Sequence, residues 1–251
     1  MSRHYALAPV ALGFCALGLF ASPALAAKVP VYVTAAIADP ARPKDEVAAD
    51  VLRLPAETIA FAGVRPGMKI AEFTPEGGYY TRILIDVVGP KGAIYEIENP
   101  GWKDDVTADK KVLSELKRPN ITLDAPAWGT APVPAKVDLF WTTQNYHDLH
   151  IEKYGKVDMA AFNKAVFAAL RPGGTYFILD HHAAPDATAE DIAKLHRIPK
   201  AQVIREVEAA GFRLAGEDRS LERPTDNLHM IVFDKSVRGH TSQFALKFVR
   251  P

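Results

Sequence analysis

Five short apolar runs alternate with helical segments between residues 68 and 179, and no other feature of this chain restricts its fold as much. Residues 68–73 read as a buried strand, 74–78 as a turn and 79–88 as a helix stopped by Gly89 and Pro90. Strands at 92–97, 120–123, 137–142 and 175–179 follow, with helices at 106–117 and 159–170 and a turn at Pro172, Gly173 and Gly174. Strands separated by helices pair in parallel through right-handed crossovers, so the expected architecture is α/β: a doubly wound, mostly parallel sheet with helices on both faces. A further helix is expected at 200–210. Runs at 213–217, 229–233 and 243–248 are late strand candidates, at least two of which close the sheet, the last pair antiparallel. Ligands of such sheets bind beyond the carboxyl ends of the strands, which directs attention to the loops there.

The amino terminus carries a different signal. Arg3 and His4 precede an apolar stretch over residues 5–20, and Pro23 and the small-residue run Ala24, Leu25, Ala26 close it. This is the pattern of a secretory signal cleaved before Ala27, so residues 1–26 read as a signal peptide and the chain as exported, to the periplasm. Pro9, Gly13 and Pro23 interrupt the run, which argues against a membrane anchor and leaves no stable span after cleavage. Cys15, the one cysteine, lies inside this leader, so an intramolecular disulfide is excluded. Residues 27–53 form a leader and first helix: 28–43 show little amphipathic period, while helices at 44–54 and 55–62 offer Val47, Val51, Leu54, Ile59 and Phe61 to a core. Residues 54–251 form the main domain. Thirty basic and thirty acidic residues cancel, so no global field draws nucleic acid, and a small molecule is the expected partner. The oligomeric state is left open.

The strand ending Ile70, Ala71, Glu72, Phe73, followed by Pro75, Glu76, Gly77, Gly78, Tyr79, Tyr80, Thr81 and a helix, resembles motif I of class I S-adenosylmethionine-dependent methyltransferases. Leu170 to Thr175 resembles the loop before that fold's fifth strand, and Glu98 stands where its second strand presents an acid to ribose hydroxyls. Residues 54–58, 63–68, 180–183 and the tail from Phe244 resemble a group of exported predicted methyltransferases. The resemblance implies a Rossmann-like, seven-stranded domain, S-adenosylmethionine as cofactor, and Glu72, Thr74, Glu76, Gly78 and Glu98 as cofactor-binding positions. Two of these depart from the G-x-G-x-G pattern. Thr74 and Glu76 replace the first two glycines, and the Glu76 carboxylate would oppose the carboxylate of the donor. A strand-end acid such as Glu72 also has a purely structural use, capping the next helix.

Beyond the fourth strand, residues 142–150 form a polar and aromatic run from which Asn145, Tyr146 and His147 are drawn as catalytic candidates, with Asp148 placed to fix a tautomer. Asp180, after the fifth strand, joins them. His147 is the candidate general base, Asn145, Tyr146 and Asp180 the positioning groups; a histidine that only buttresses the loop is the alternative. Histidines with Asp148 or Asp180 also permit a metal reading, but there is no H-x-x-x-H helix and no cysteine pair, so no metal ligand is assigned. His196 and His240 are expected in solvent. Trp102, Trp128 and Trp141 either line a pocket or fill the core. No G-x-S-x-G elbow supports a hydrolase, and the rival to a methyltransferase is a binding module on the same fold with a degenerate motif I.

Overall fold

The computed structural model of the chain describes residues 29–251. The expected signal peptide and Cys15 lie outside the described residues. Seven strands form one sheet: β1 (Lys69–Phe73), β2 (Ala93–Ile97), β3 (Ile121–Asp124), β4 (Val137–Thr143), β5 (Leu170–His181), β6 (Arg213–Asp218) and β7 (Gln243–Val249). Their spatial order is β3-β2-β1-β4-β5-β7-β6, with β1 to β5 parallel and β7 antiparallel to both neighbours. The order reverses between β1 and β4, which opens a crevice at their carboxyl ends.

Eight α-helices accompany the sheet among the described residues: α1 (Val31–Ile37), α2 (Lys44–Arg53), α3 (Pro55–Ala62), α4 (Tyr79–Val88), α5 (Lys103–Leu116), α6 (Met159–Ala169), α7 (Ala189–Leu195) and α8 (Lys200–Ala209). Strand residues alternate between two apolar clusters, as the two-residue period of a pleated strand requires. Ile70, Leu139, Trp141 and Phe177 pack with α1, α3 and α4, while Ala71, Phe140, Tyr176 and Ile178 pack with α6 and α8.

The structure corrects the sequence reading in five places. Residues 31–37 are helical, because Val33 and Ala36, one turn apart, bury against the first cluster. The faces expected of Val47 and Val51 stay in solvent: α2 buries no residue and is held by polar contacts, Arg42 bonding Asp50 and the Tyr79 hydroxyl donating to Asp50 at 2.6 Å. Residues 229–233 are not a strand; turns run through them, and Arg197 donates to the Met230 carbonyl while pairing with Asp226. Pro172 to Gly174 lie within β5 as an irregularity of its pairing with β4 rather than as a turn before it. Finally, α7 has no counterpart among the helices expected from the sequence, although Thr188 and Asp191 form a reciprocal cap at its start.

Candidate functional site

The loop after β1 turns sharply. Thr74, Glu76, Gly77 and Gly78 all have positive φ, and at Gly78 a Cβ would stand 2.8 Å from the Val112 side chain of α5. This glycine is required twice over, by its left-handed backbone and by the helix lying against it. The Gly77 amide donates to Asp109 of α5 at 2.7 Å.

Four acids lie buried behind this turn. In-register pairing sets Glu72 of β1 directly beside Glu96 of β2, side chains on one face. Glu72 accepts a hydrogen bond from Thr81 at 2.8 Å, and Glu98 accepts one from the Asn99 amide at 2.6 Å. Neither carboxyl oxygen of Glu96 has a hydrogen-bond partner. Burial pushes Glu72 up to about 8 and Glu96 and Glu98 up to about 9, reinforced by their mutual repulsion and by Asp109. The protonated forms are thereby favoured at neutral pH. Glu96 and Asp109 were missed by sequence reasoning; the two-residue spacing of Glu96 and Glu98, at and just past the end of one strand, was the available signal.

The loop after β4 is tied to the first one by Asn145, whose amide donates to the Thr74 carbonyl at 2.9 Å and to the Thr143 carbonyl at 2.7 Å. Tyr146 points away from the crevice into the core, donating to Glu206 and accepting from Asn163. A short 3-10 turn over His147–His150 then presents His147 and Asp148. Asp180, at the end of β5, accepts from the His147 amide at 2.8 Å and bonds the ring Nδ1 at 2.7 Å. Burial opposes charge on this imidazole, yet Asp180 and Asp148 together hold its pKa up at about 9. The imidazolium in turn holds Asp180 below the usual carboxylate range, against its burial.

His196 is not in solvent as expected: it is 6% exposed, at the carboxyl end of α7 with a φ of 54°. The following residue pair explains this, because Ile198 bridges to His182 and folds the chain back over the end of β5. The rings of Phe233 and Tyr154 cover His196, with centroids 4.8 and 6.2 Å away. His240 is exposed. Among the described residues six non-glycines have positive φ, and Thr74, Glu76, Gln144 and His196 belong to the segments at this end of the sheet. Backbone strain of that kind gathers where function demands a geometry.

These segments border a shallow, solvent-open crevice of about 330 Å3 lined by Glu76, Trp102, Asp105, Asp148, Tyr154, His196 and Phe233. Glu76 is solvent-accessible there; packed protein, Asp148 and Asp105 push its carboxyl up towards about 8, an effect that water in the crevice screens. Trp102 stands against Tyr154 and Trp128, whereas Trp141 is fully in the core. Of the residues singled out from the sequence, Glu76 faces the crevice, His147 and Asp180 stand behind its Asp148 wall, and Glu72, Glu98 and Tyr146 are engaged within the protein. Asp148 and His196 approach His147 closely: His147 Nε2, Asp148 Oδ1 and His196 Nδ1 lie 3.3–3.4 Å from one another.

No protein-family profile matches the chain. No curated protein sequence matches it either. Solved structures do. A SAM-dependent methyltransferase from Aquifex aeolicus superposes with a TM-score of 0.60 at 17% identity, over 83% of this chain and 96% of that one. The [4+2]-cyclase SpnF gives 0.58 at 14% identity, over 82% of each chain. Human N-acetylserotonin methyltransferase, solved with SAM, gives 0.52 at 11% identity over 82% of this chain and 54% of that one. The chain therefore has the α/β Rossmann-like fold of class I methyltransferases, a fold that in SpnF bears a cyclase.

Proposed function

We propose that this chain is an exported methyltransferase that moves a methyl group from S-adenosylmethionine to a small acceptor held in the crevice. The observation that carries the reading is the crevice lining: three carboxyl groups, Glu76, Asp105 and Asp148, beside three aromatic rings, Trp102, Tyr154 and Phe233, at the strand ends of a methyltransferase fold. Carboxylates and aromatic faces are what a cationic ligand requires, so the chemistry of this lining fits the sulfonium and ammonium groups of the donor. S-adenosylmethionine supplies an electrophilic methyl on a positively charged sulfur.

The chain's own part is alignment. Glu76 and Asp105 would face the donor's positive charge, Trp102, Tyr154 and Phe233 would supply the apolar surface, and Asp148 would position the acceptor, because its Oδ1 is buried without a hydrogen-bond donor. With a pKa near 9, His147 keeps its proton at neutral pH and acts there as a hydrogen-bond donor oriented by Asp180. A base is needed only for acceptors that are not already nucleophilic. The rival reading, a binding module without transfer, is favoured by one observation: Glu72 and Glu98, two acids expected to face the donor, are buried and each give an oxygen to the protein itself, to Thr81 and to the Asn99 amide.

Calorimetric titration with S-adenosylmethionine and with its demethylated product tests the proposal. Binding of both supports it, with the cationic donor bound more tightly if the acidic lining dominates; binding of neither rejects it. Export rests on the leader of residues 1–26, and amino-terminal sequencing of protein from its native host is expected to begin at or near Ala27. Soluble protein with Met1 intact would reject that part.

A further inference from the structure

Three potential metal-ligating atoms form a nearly equilateral triangle on the crevice wall. His147 Nε2 and His196 Nδ1 are 3.3 Å apart, His147 Nε2 and Asp148 Oδ1 3.4 Å, and His196 Nδ1 and Asp148 Oδ1 3.3 Å. This is a poor hydrogen-bond arrangement. The separations exceed the usual 2.7–3.2 Å range, roughly, of N–H···O contacts, and a proton directed at one corner cannot serve the other. Asp148 Oδ1 is buried and accepts no hydrogen bond at all. Metal bonds of about 2.0–2.1 Å at the tetrahedral angle, in contrast, separate ligand atoms by about 3.3–3.4 Å, whereas adjacent ligands of an octahedral ion stand about 2.9 Å apart.

The surroundings agree with the triangle. His147 bonds Asp180 through Nδ1 and turns Nε2 to the other two atoms, so that a cation taking the place of the Nε2 proton would meet its lone pair, and that carboxylate to histidine relay is the arrangement that orients metal-binding imidazoles. Asp180 is itself fixed by the His147 and His181 amides. His196 is held in a left-handed conformation that places its ring against the other two side chains. Described residues include one such set of three groups, and all three members are buried.

We propose that His147, Asp148 and His196 bind a four-coordinate divalent cation of the zinc class, with its fourth position open to the crevice. Two imidazoles and one carboxylate suit zinc, and three protein ligands with one open position are what a zinc site that binds substrate provides. Asp148 and His196 line the crevice, so an oxygen or nitrogen atom of the molecule held there would complete the coordination. The inference goes beyond the methyl-transfer reading and does not rest on it, since ion binding is measured with no donor present.

Tag-free protein, stripped with chelator, is titrated with Zn2+ by calorimetry and, separately, loaded with Co2+ and followed by visible absorption. One ion per chain and the intense bands of four-coordinate Co2+ are expected. Asp148→Asn and His196→Gln are each expected to lower Zn2+ affinity by about 100-fold or more, and Asp180→Asn by about 10- to 100-fold. His150→Gln alters the next histidine of the same turn, which bonds Glu206 instead, and is expected to leave the affinity unchanged. A wild type that takes up no stoichiometric ion, a six-coordinate Co2+ spectrum, or an equal loss in His150→Gln overturns the proposal. The two wild-type readouts decide it even where a variant fails to fold.

Discussion

Replacing Glu96 by glutamine should make the protein more stable, and by an amount that grows with pH. Glu96 is 1% exposed, neither of its oxygens has a partner, and Glu72 of β1, Glu98 just past β2 and Asp109 of α5 surround it. Its carboxyl titrates near 9 in the folded chain against an ordinary value of 4.5, so the folded state holds a proton that the unfolded state has released over that whole interval. The stability this group permits is complete below pH 4.5 and declines as pH rises to about 9, at about 1.4 kcal/mol per unit. At pH 7 the forfeited stability reaches an upper bound of about 3 kcal/mol, and at pH 8 about 5 kcal/mol. A domain of this size gains about 2–4 °C in Tm per kcal/mol, so Glu96→Gln should melt above the wild type at pH 7 by at most about 6–12 °C, with the difference vanishing near pH 5. Differential scanning calorimetry from pH 5 to 9 measures both curves. Parallel curves, or a variant that melts lower at pH 8, would show that water or a bound cation satisfies this carboxylate and that the argument from burial is wrong.

Other residues give further tests. Gly78→Ala combines a φ of 78° with a Cβ 2.8 Å from Val112, and should cost about 1–3 kcal/mol in denaturant unfolding; an unchanged midpoint would contradict the close packing of α5 on this turn. Arg197→Met leaves Asp226 buried without its partner and should cost about 3–5 kcal/mol, much of it recovered in the double variant with Asp226→Leu. Glu76→Gly removes one of the three crevice carboxyls that face the cationic donor, and should weaken S-adenosylmethionine binding about fivefold, about 1 kcal/mol; tighter or unchanged affinity would mean that this carboxyl does not meet the donor's positive charge.

Local signals sufficed for the central fold. The runs that became β1 to β5 are apolar, short and bounded by glycine, proline or polar turns, and helix α4 begins and ends at the residues the sequence indicated because Gly78 and Gly89 flank it. The loops after β1, β4 and β5 could be named for the same reason: parallel order alone sends every carboxyl end to one edge. Partnership was beyond local reading. Tyr146 read as a positioning group, but Asn163 and Glu206, on helices 17 and 60 residues away, draw its hydroxyl into the core. Glu96 became a buried orphan only because strand register set it beside Glu72. His196, 49 residues from His147, reached Asp148 because α7 ends where the chain folds back over β5. Periodicity and turn chemistry act over a few residues and were fixed by the sequence itself, whereas the charge state and partners of a side chain depend on burial and on neighbours distant in sequence, which only the packed structure decided.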